Sequence, residues 1–371
     1  MIGTKKLLVI AGGNYIYGAE KVTLDVMEGL HNNGYEICAI ISGWGDGEFA
    51  RRLEALKIKY DKLKLGWYYT SKILWSFDSF IHYPGAIIKF LLLRKKWKDW
   101  PVYIITFRQV ILLWPFFKKN IVYHVHDLNS TSKQSRFFLK IIDRKTIKYI
   151  AVSEFIKRDL ISCGIDPEKI EVIHNGVEVE SNYLNSDCEN NDLTIGIIGQ
   201  VIPRKGHEDV IEALKILADK GIKCIKLKIV GEGGRAYKEM LTTLIAKYKL
   251  ESQIIFLGFQ KTQHEIYMGI DIVVAVTRND EPFALVPLEA NALGKSAIVT
   301  NKGGFTEMII DGYNGFIVES CNSNQIAEKI ELLINNRQLL REMGENGKVN
   351  IEKNFTKERM NKKIKKLIDS I

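Results

Sequence analysis

Residues 271–300 read DIVVAV, TRNDEPFALVPLEANALG, KSAIVT. Two β-branched runs flank a helical stretch that Pro287 suits as an opener, since the first helical residue needs no amide N–H. Strand, helix and strand in so short a span form the repeating unit of a parallel sheet, because parallel neighbours require a crossover.

The same alternation continues on both sides. LTIGIIGQ (193–200), KLKIVG (226–231), QIIFLG (253–258) and NGFIV (314–318) are strand-like, with amphipathic stretches between them. A second series lies nearer the N-terminus: KKLLVIAGG (5–13), YEICAIIS (35–42), NIVYHVH (120–126), KYIAVS (148–153) and KIEVIHNG (169–176). Between the two series, EVESNYLNSDCENND (178–192) carries few large apolar residues and reads as a linker. The spacing predicts an α/β chain of two Rossmann-like domains facing a cleft: 1–178, a linker 179–192, and 193–354. A basic amphipathic helix over 355–371 (KERMNKKIKKLI) is expected to pack back on the N-terminal domain.

Composition agrees with a soluble globular chain. Of 371 residues, 46% are hydrophobic and 26% charged. The five cysteines (Cys38, Cys163, Cys188, Cys224 and Cys321) include no C-x-x-C pair, so reduced thiols in a cytoplasmic protein are expected. The opening MIGTKKLLVIAGG reads as a buried first strand rather than a signal peptide. Net charge is +9, which points to an acidic partner surface. Part of that excess falls in residues 85–119, with Lys89, Arg94, Lys95, Lys96, Lys98, Arg108, Lys118 and Lys119 among IIKFLLL, Trp97, Trp100 and ILLWPFF. That mixture suits a peripheral surface resting on anionic lipid, or core helices whose basic residues face water; periodicity leaves both open. No nucleic-acid partner is expected.

Open parallel sheets bind ligands beyond the carboxyl ends of their strands. Four constellations fall there. Arg204 and Lys205 follow the strand LTIGIIGQ and precede a helix, an arrangement suited to an anion. Phe283, Ala284, Leu285 and Val286 precede Pro287, so unpaired amides there favour a phosphate. Glu281 and Glu289 flank that turn; Glu289 is expected in the helix's first turn, where it can accept hydrogen bonds from a vicinal diol or serve the helix dipole. His124 and His126 share one face of NIVYHVH, His126 nearer its exit, followed by Asp127. Gly18, in the loop GGNYIYGAE, and Gly303–Gly304 allow close backbone approach. No metal site is expected. The glycine loops do not spell G-x-G-x-x-G, which argues against a dinucleotide cofactor.

Taken together and in order, YGAEKV, HVHD, VSE, VIHNGVE, IGQVIPRKGHEDVIEAL, IVGEG, FLGF, DIVVAVTRNDEPFALVPLEANALGKSAIVTNKGGFTEMI and NGFIV resemble the family 4 retaining glycosyltransferases of the GT-B fold. The resemblance implies an N-terminal acceptor-binding domain and a C-terminal domain for a nucleotide diphosphate sugar. It implies that Arg204 and Lys205 bind the donor diphosphate, Glu281 the donor sugar and Glu289 the ribose. His126 resembles the histidine facing the sugar, and Gly18 the glycine near the phosphates. The implied enzyme is a metal-independent, hexosyltransferase-type transferase with no cofactor. Its acceptor would be a saccharide, and the basic, aromatic stretch 85–119 points to a lipid-linked one at the inner membrane face, as in bacterial cell-surface polysaccharide assembly. Two departures stand out. Ala284 replaces a frequent glycine, and would be strained if its φ were positive; Tyr17 replaces a glycine before Gly18. The competing readings are a nucleotide-sugar epimerase, an NAD-dependent dehydrogenase and a non-catalytic lipid- or polyanion-binding protein.

Overall fold

A computed structural model of the chain describes residues 5–11, 16–45, 47–64, 73–97, 99–106, 110–111, 113–179 and 192–371. It divides into two compact units, Met1–Asn175 with Lys357–Ile371, and Gly176–Thr356. The linker expected at 179–192 lies outside the described residues except at its ends, as do residues 12–15 of the first glycine loop.

The N-terminal unit is built on a seven-stranded parallel sheet: β1 (Lys6–Ala11), β2 (Glu36–Ser42), β3 (Lys59–Leu63), β4 (Val102–Ile104), β5 (Ile121–Val125), β6 (Thr146–Ala151) and β7 (Ile170–Val172). Their order is β3-β2-β1-β4-β5-β6-β7, so the direction of winding reverses between β1 and β4. Leu8 sits opposite Cys38 of β2 on one side and Val102 of β4 on the other. Leu7, Leu8, Val9, Val102, Ile121 and Val122 are fully buried, as a sheet covered on both faces requires. Among its helices are α1 (Gly18–Asn32), α2 (Glu48–Ala55), α3 (Ile73–Lys96), α4 (Lys133–Asp143) and α5 (Glu154–Ser162).

The C-terminal unit repeats the plan with β8 (Leu193–Ile198), β9 (Ile225–Val230), β10 (Ile254–Gly258), β11 (Ile272–Ala275), β12 (Ser296–Thr300) and β13 (Gly315–Val318). The order β10-β9-β8-β11-β12-β13 reverses between β8 and β11, where Ile272 pairs with Ile195. Its helices are α6 (His207–Asp219), α7 (Arg235–Tyr248), α8 (Gln263–Tyr267), α9 (Leu285–Ala292), α10 (Ser323–Asn335) and α11 (Arg337–Asn354). Leu193, Ile195, Val210, Leu214, Leu227, Ile272 and Ile330 join strands and helices in one apolar core.

The last helix, α12 (Lys357–Asp369), returns to the N-terminal unit and lies along α1. Met360, Ile364 and Leu367 are buried there. Lys357 Nζ stands 2.9 Å from Asp25 and 2.6 Å from Glu28. Asn361 Nδ2 donates to the Asp25 carbonyl at 3.1 Å. The 85–119 stretch resolves into two parts. Phe90, Trp97, Trp100, Tyr103 and Phe117 are buried and belong to the core, as does Arg94, while Trp114 and Phe116 are half-buried. Exposed in the stretch, among the described residues, are the aliphatic Ile88, Leu91 and Leu92, the basic Lys89, Lys95, Lys96, Lys118 and Lys119, and the acidic Asp99.

Candidate functional site

In the C-terminal unit the switch point between β8 and β11 gathers most of the expected residues. After β8 the chain makes a single 3-10 turn, Pro203–Lys205, ended by Gly206 at φ 71°. A Cβ on Gly206 would fall 2.1 Å from the Val276 carbonyl beyond β11, so only glycine lets the two loops meet. Arg278 N donates to the Arg204 carbonyl at 2.8 Å. The Arg278 guanidinium in turn clasps Asp209 on α6, at 3.0 Å through Nε and 2.7 Å through Nη2. The hydrogen bonds to Asp209 hold that guanidinium above its ordinary range. Arg278 and Asp209 thus rigidify the turn that aims Arg204 and Lys205.

Both cations converge on one oxygen. Glu281 Oε2 accepts from Arg204 Nη1 at 3.1 Å and from Lys205 Nζ at 2.8 Å. Such charge-assisted hydrogen bonds keep both heads in place. The loop carrying Glu281 is pinned from below. Gly304 N donates to the Glu281 carbonyl at 2.8 Å. Gly303, at φ 63°, passes so close that a Cβ would lie 2.1 Å from that carbonyl. Phe283 is buried against Phe355, ring centroids 6.1 Å apart, and anchors the same loop.

The following helix departs from expectation in register. Ala284 is the N-cap of α9, so Leu285 and Val286 open it and Pro287 stands third rather than first. Proline is harmless there too, because the first-turn amides have no intrahelical acceptor. Ala284 has φ −86°, so the strain expected from a non-glycine residue is absent. No side chain caps the helix. Glu289 falls in the second turn, not the first, beyond the reach of a helix-dipole account. It is buried, and accepts from Tyr267 Oη at 2.7 Å. Tyr267 and Arg278 escaped sequence reasoning; a buried carboxylate's donor and a turn's clasp lie too far along the chain to leave a spacing.

In the N-terminal unit the chemistry is of another kind. His126 follows β5 directly, its ring 4.1 Å from that of His124. The two share a face as alternation requires. His124 is fully buried, and its Nδ1 lies 2.5 Å from Tyr103 Oη. Burial pushes the His126 imidazole down to about 3. It pushes His124 well below the usual range, with the neighbouring His126 adding to the effect. His126 Nε2 is buried with no hydrogen-bond partner among the described residues. A neutral imidazole with an unsatisfied nitrogen serves as a hydrogen-bonding group, not as a cation. Gly18 opens α1, where Glu20 Oε2 accepts from Tyr17 N at 3.2 Å. Burial, with a contribution from Asp127, raises the Glu20 carboxyl. Among the described residues no His, Cys, Asp or Glu cluster has the geometry of a metal site.

Comparison with known proteins covers both units. Residues 16–181 match the family model Glycosyltransferase Family 4, and residues 185–350 match Glycosyl transferases group 1. An uncharacterized glycosyltransferase of Methanocaldococcus jannaschii is 33% identical over 65% of this chain and 64% of its own length. The capsular polysaccharide biosynthesis glycosyltransferase CapM of Staphylococcus aureus is 29% identical over 63% of this chain and 66% of its own. These matches thus span just under two thirds of either relative. Among solved structures, Anabaena HepE in complex with UDP-glucose superposes with a TM-score of 0.83 at 22% identity, covering 99% of this chain and 100% of that one. That likeness shows the fold.

Proposed function

Since the chain belongs to the family 4, group 1 glycosyltransferases and has their GT-B fold, we propose that it transfers a sugar from a uridine diphosphate donor to a saccharide hydroxyl. The observation that carries this is the convergence of Arg204 and Lys205 on Glu281 Oε2, beside the uncapped start of α9. Two cations meeting at one oxygen, on a loop that leads into an uncapped helix start, suit an anion. As the glycosidic bond breaks, negative charge grows on the leaving diphosphate. Arg204, Lys205 and the Leu285 and Val286 amides stabilise it, in the role a divalent metal would otherwise fill. Glu281 turns to the sugar hydroxyls and Glu289 to the ribose; Gly18, Phe283, Ala284, Gly303 and Gly304 shape the loops around the donor. His126 offers the transferred sugar a neutral hydrogen-bonding nitrogen. The acceptor oxygen bonds to the anomeric carbon as that carbon's bond to the β-phosphate oxygen breaks, the hydroxyl proton passes to the departing phosphate oxygen, and UDP is released with retention of configuration.

The uridine base is supported by the UDP and UDP-glucose held in the HepE structures. Likeness to CapM and to the poly(ribitol-phosphate) alpha-N-acetylglucosaminyltransferase of Staphylococcus aureus supports a hexosyl donor and a cell-surface polymer pathway. A lipid-linked acceptor would place the protein peripherally on the cytoplasmic membrane face. No described helix is long and apolar enough to cross a membrane.

Thermal shift against UDP, GDP, ADP, CMP and NAD tests the proposal. At a hundred times its dissociation constant a ligand adds about 2.7 kcal/mol. UDP should raise the melting temperature equally with and without EDTA, and should fail to do so in Lys205→Met. A shift with NAD alone, or with UDP only when metal is present, would overturn it. UDP-sugar conversion without acceptor would favour an epimerase.

A further inference from the structure

Helix α3 has two apolar faces. Ala86 and Phe90, with Trp97 just beyond its last residue, are buried in the N-terminal unit. On the other side Ile81, Ile88 and Leu92 are 64%, 61% and 63% exposed, and Leu91 is exposed beside them. Positions 81, 88 and 92 recur at helical spacing, so they form one stripe, and Lys95 continues it one turn on. A helix apolar on both sides leaves one face without a partner in water.

The end of that stripe opens on a cavity of about 620 Å3 lined by Lys5, Lys6, Lys95, Lys96, Tyr35 and Trp100, with Asp99 and Asp369. It lies at the amino ends of β1, β2 and β4, the edge of the sheet opposite His126. Its two carboxylates are already occupied. Asp369 takes Lys5 at 2.5 Å and Lys365 at 2.7 Å, and Asp99 takes Lys118 at 2.5 Å. Lys6 lies 5.5 Å from the Trp100 ring centroid and 3.8 Å from Glu36. Lys95 and Lys96 have no carboxylate within ion-pair distance among the described residues. The cavity therefore offers uncompensated positive charge at the foot of an exposed aliphatic stripe.

We propose that this face docks on an anionic lipid surface. Ile88, Leu91 and Leu92 enter the boundary between headgroups and acyl chains, while Lys95, Lys96 and the cavity receive lipid phosphates. The combination selects the occupant. A soluble anion needs no aliphatic stripe, and a neutral apolar partner needs no unpaired lysines; an anionic bilayer uses both. This deepens the peripheral-membrane reading above and is independent of the donor chemistry.

Co-sedimentation of the full chain with vesicles of phosphatidylcholine, alone or mixed with phosphatidylglycerol, tests it. The protein should pellet with the mixed vesicles only, and less as salt rises. Lys95→Ser with Lys96→Ser should weaken binding about 30-fold, at about 1 kcal/mol for each lysine near the surface. Ile88→Ser with Leu92→Ser should weaken it at least tenfold, on the order expected for withdrawing buried aliphatic side chains. Lys223→Ser with Lys353→Ser, an equal loss of charge in the C-terminal unit, should change it less than about twofold if the local surface governs binding. These substitutions are at exposed positions, and unchanged melting and UDP binding would confirm intact variants and keep the donor site separate. Equal losses in both lysine pairs, pelleting that ignores the aliphatic pair, release of bound protein by inorganic phosphate at constant ionic strength, or a dimer that the aliphatic substitutions split would each overturn the proposal.

Discussion

The two units share a scaffold and differ in what they hang on it. Both sheets are parallel and both reverse direction beside their first strand. At the carboxyl ends of β8 and β11 stand partly exposed charges in mutual contact, Arg204, Lys205 and Glu281. At the end of β5 stand two imidazoles that burial keeps neutral. The same topology therefore carries a cluster of contacting charges in one unit and a pair of neutral imidazoles in the other. Loops, not sheets, set the chemistry.

That division should appear most strongly in rates. Arg204→Ala and Lys205→Ala are each expected to lower kcat for acceptor-dependent UDP release by about 10²–10³, the range for losing one group that stabilises developing charge. His126→Ala, which removes a neutral hydrogen bond, should lower it by about tenfold. Equal losses at all three positions would break the contrast and give the histidine a share in charge stabilisation.

A smaller contrast lies in the backbone. Gly303 and Gly34 both have positive φ, 63° and 82°. An alanine Cβ at Gly34 would meet nothing within 4 Å, whereas at Gly303 it would strike the Glu281 carbonyl. Gly34→Ala should therefore cost only the left-handed strain, about 1–2 kcal/mol, and leave UDP affinity unchanged. Gly303→Ala adds displacement of Glu281 and should weaken UDP binding at least about tenfold, a loss near 1.4 kcal/mol by titration. Unchanged affinity in Gly303→Ala would show that the carbonyl contact does not position the site.

The sequence carried the C-terminal unit more fully than the N-terminal one, for physical reasons. Strands β8 to β13 are apolar runs at regular spacing, and Arg204, Lys205, Glu281 and Gly303 sit in the short loops that follow them. β3 reads KYDKL, a charged edge strand with little apolar signal. β4 is three residues long. Helix α3 is apolar on two faces, so periodicity gives no single inward side and left the basic, aromatic stretch open between a lipid-facing surface and core; Trp97 and Trp100, just after the helix, are core. Contacts across long separations left no trace: Arg278 to Asp209 spans 69 residues, and Tyr267 to Glu289 spans 22. Pro287 was misplaced by two positions because the first three helical residues all tolerate a missing amide, so proline marks the turn and not its exact residue.

The smallest effect separates the units by pH. An ordinary histidine in the unfolded chain titrates near 6.5. Folded His126 is held down at about 3, His124 well below the usual range, and His207 in the C-terminal unit at about 4, in each case chiefly by burial. Below pH 6.5 the unfolded chain binds protons that the folded chain refuses, so stability falls as pH falls, until the folded values are reached. Each such proton contributes about 1.4 kcal/mol per pH unit. The N-terminal unit holds two of these groups and the C-terminal unit one. Glu20 and Asp25, raised by burial in the N-terminal unit, act with the opposite sign, chiefly nearer their ordinary range. The window from pH 6.5 to 5.5 therefore reports mainly the histidines. All six tryptophans, Trp44 to Trp114, lie in the N-terminal unit, so their fluorescence follows that unit while far-ultraviolet circular dichroism follows both. Urea melts across this window should show the fluorescence midpoint falling faster than the later dichroism phase. His124→Phe should flatten the fluorescence slope by about one proton, 1.4 kcal/mol per pH unit. If the two probes kept one midpoint at every pH, the units would unfold together, and the histidine count would belong to the whole chain.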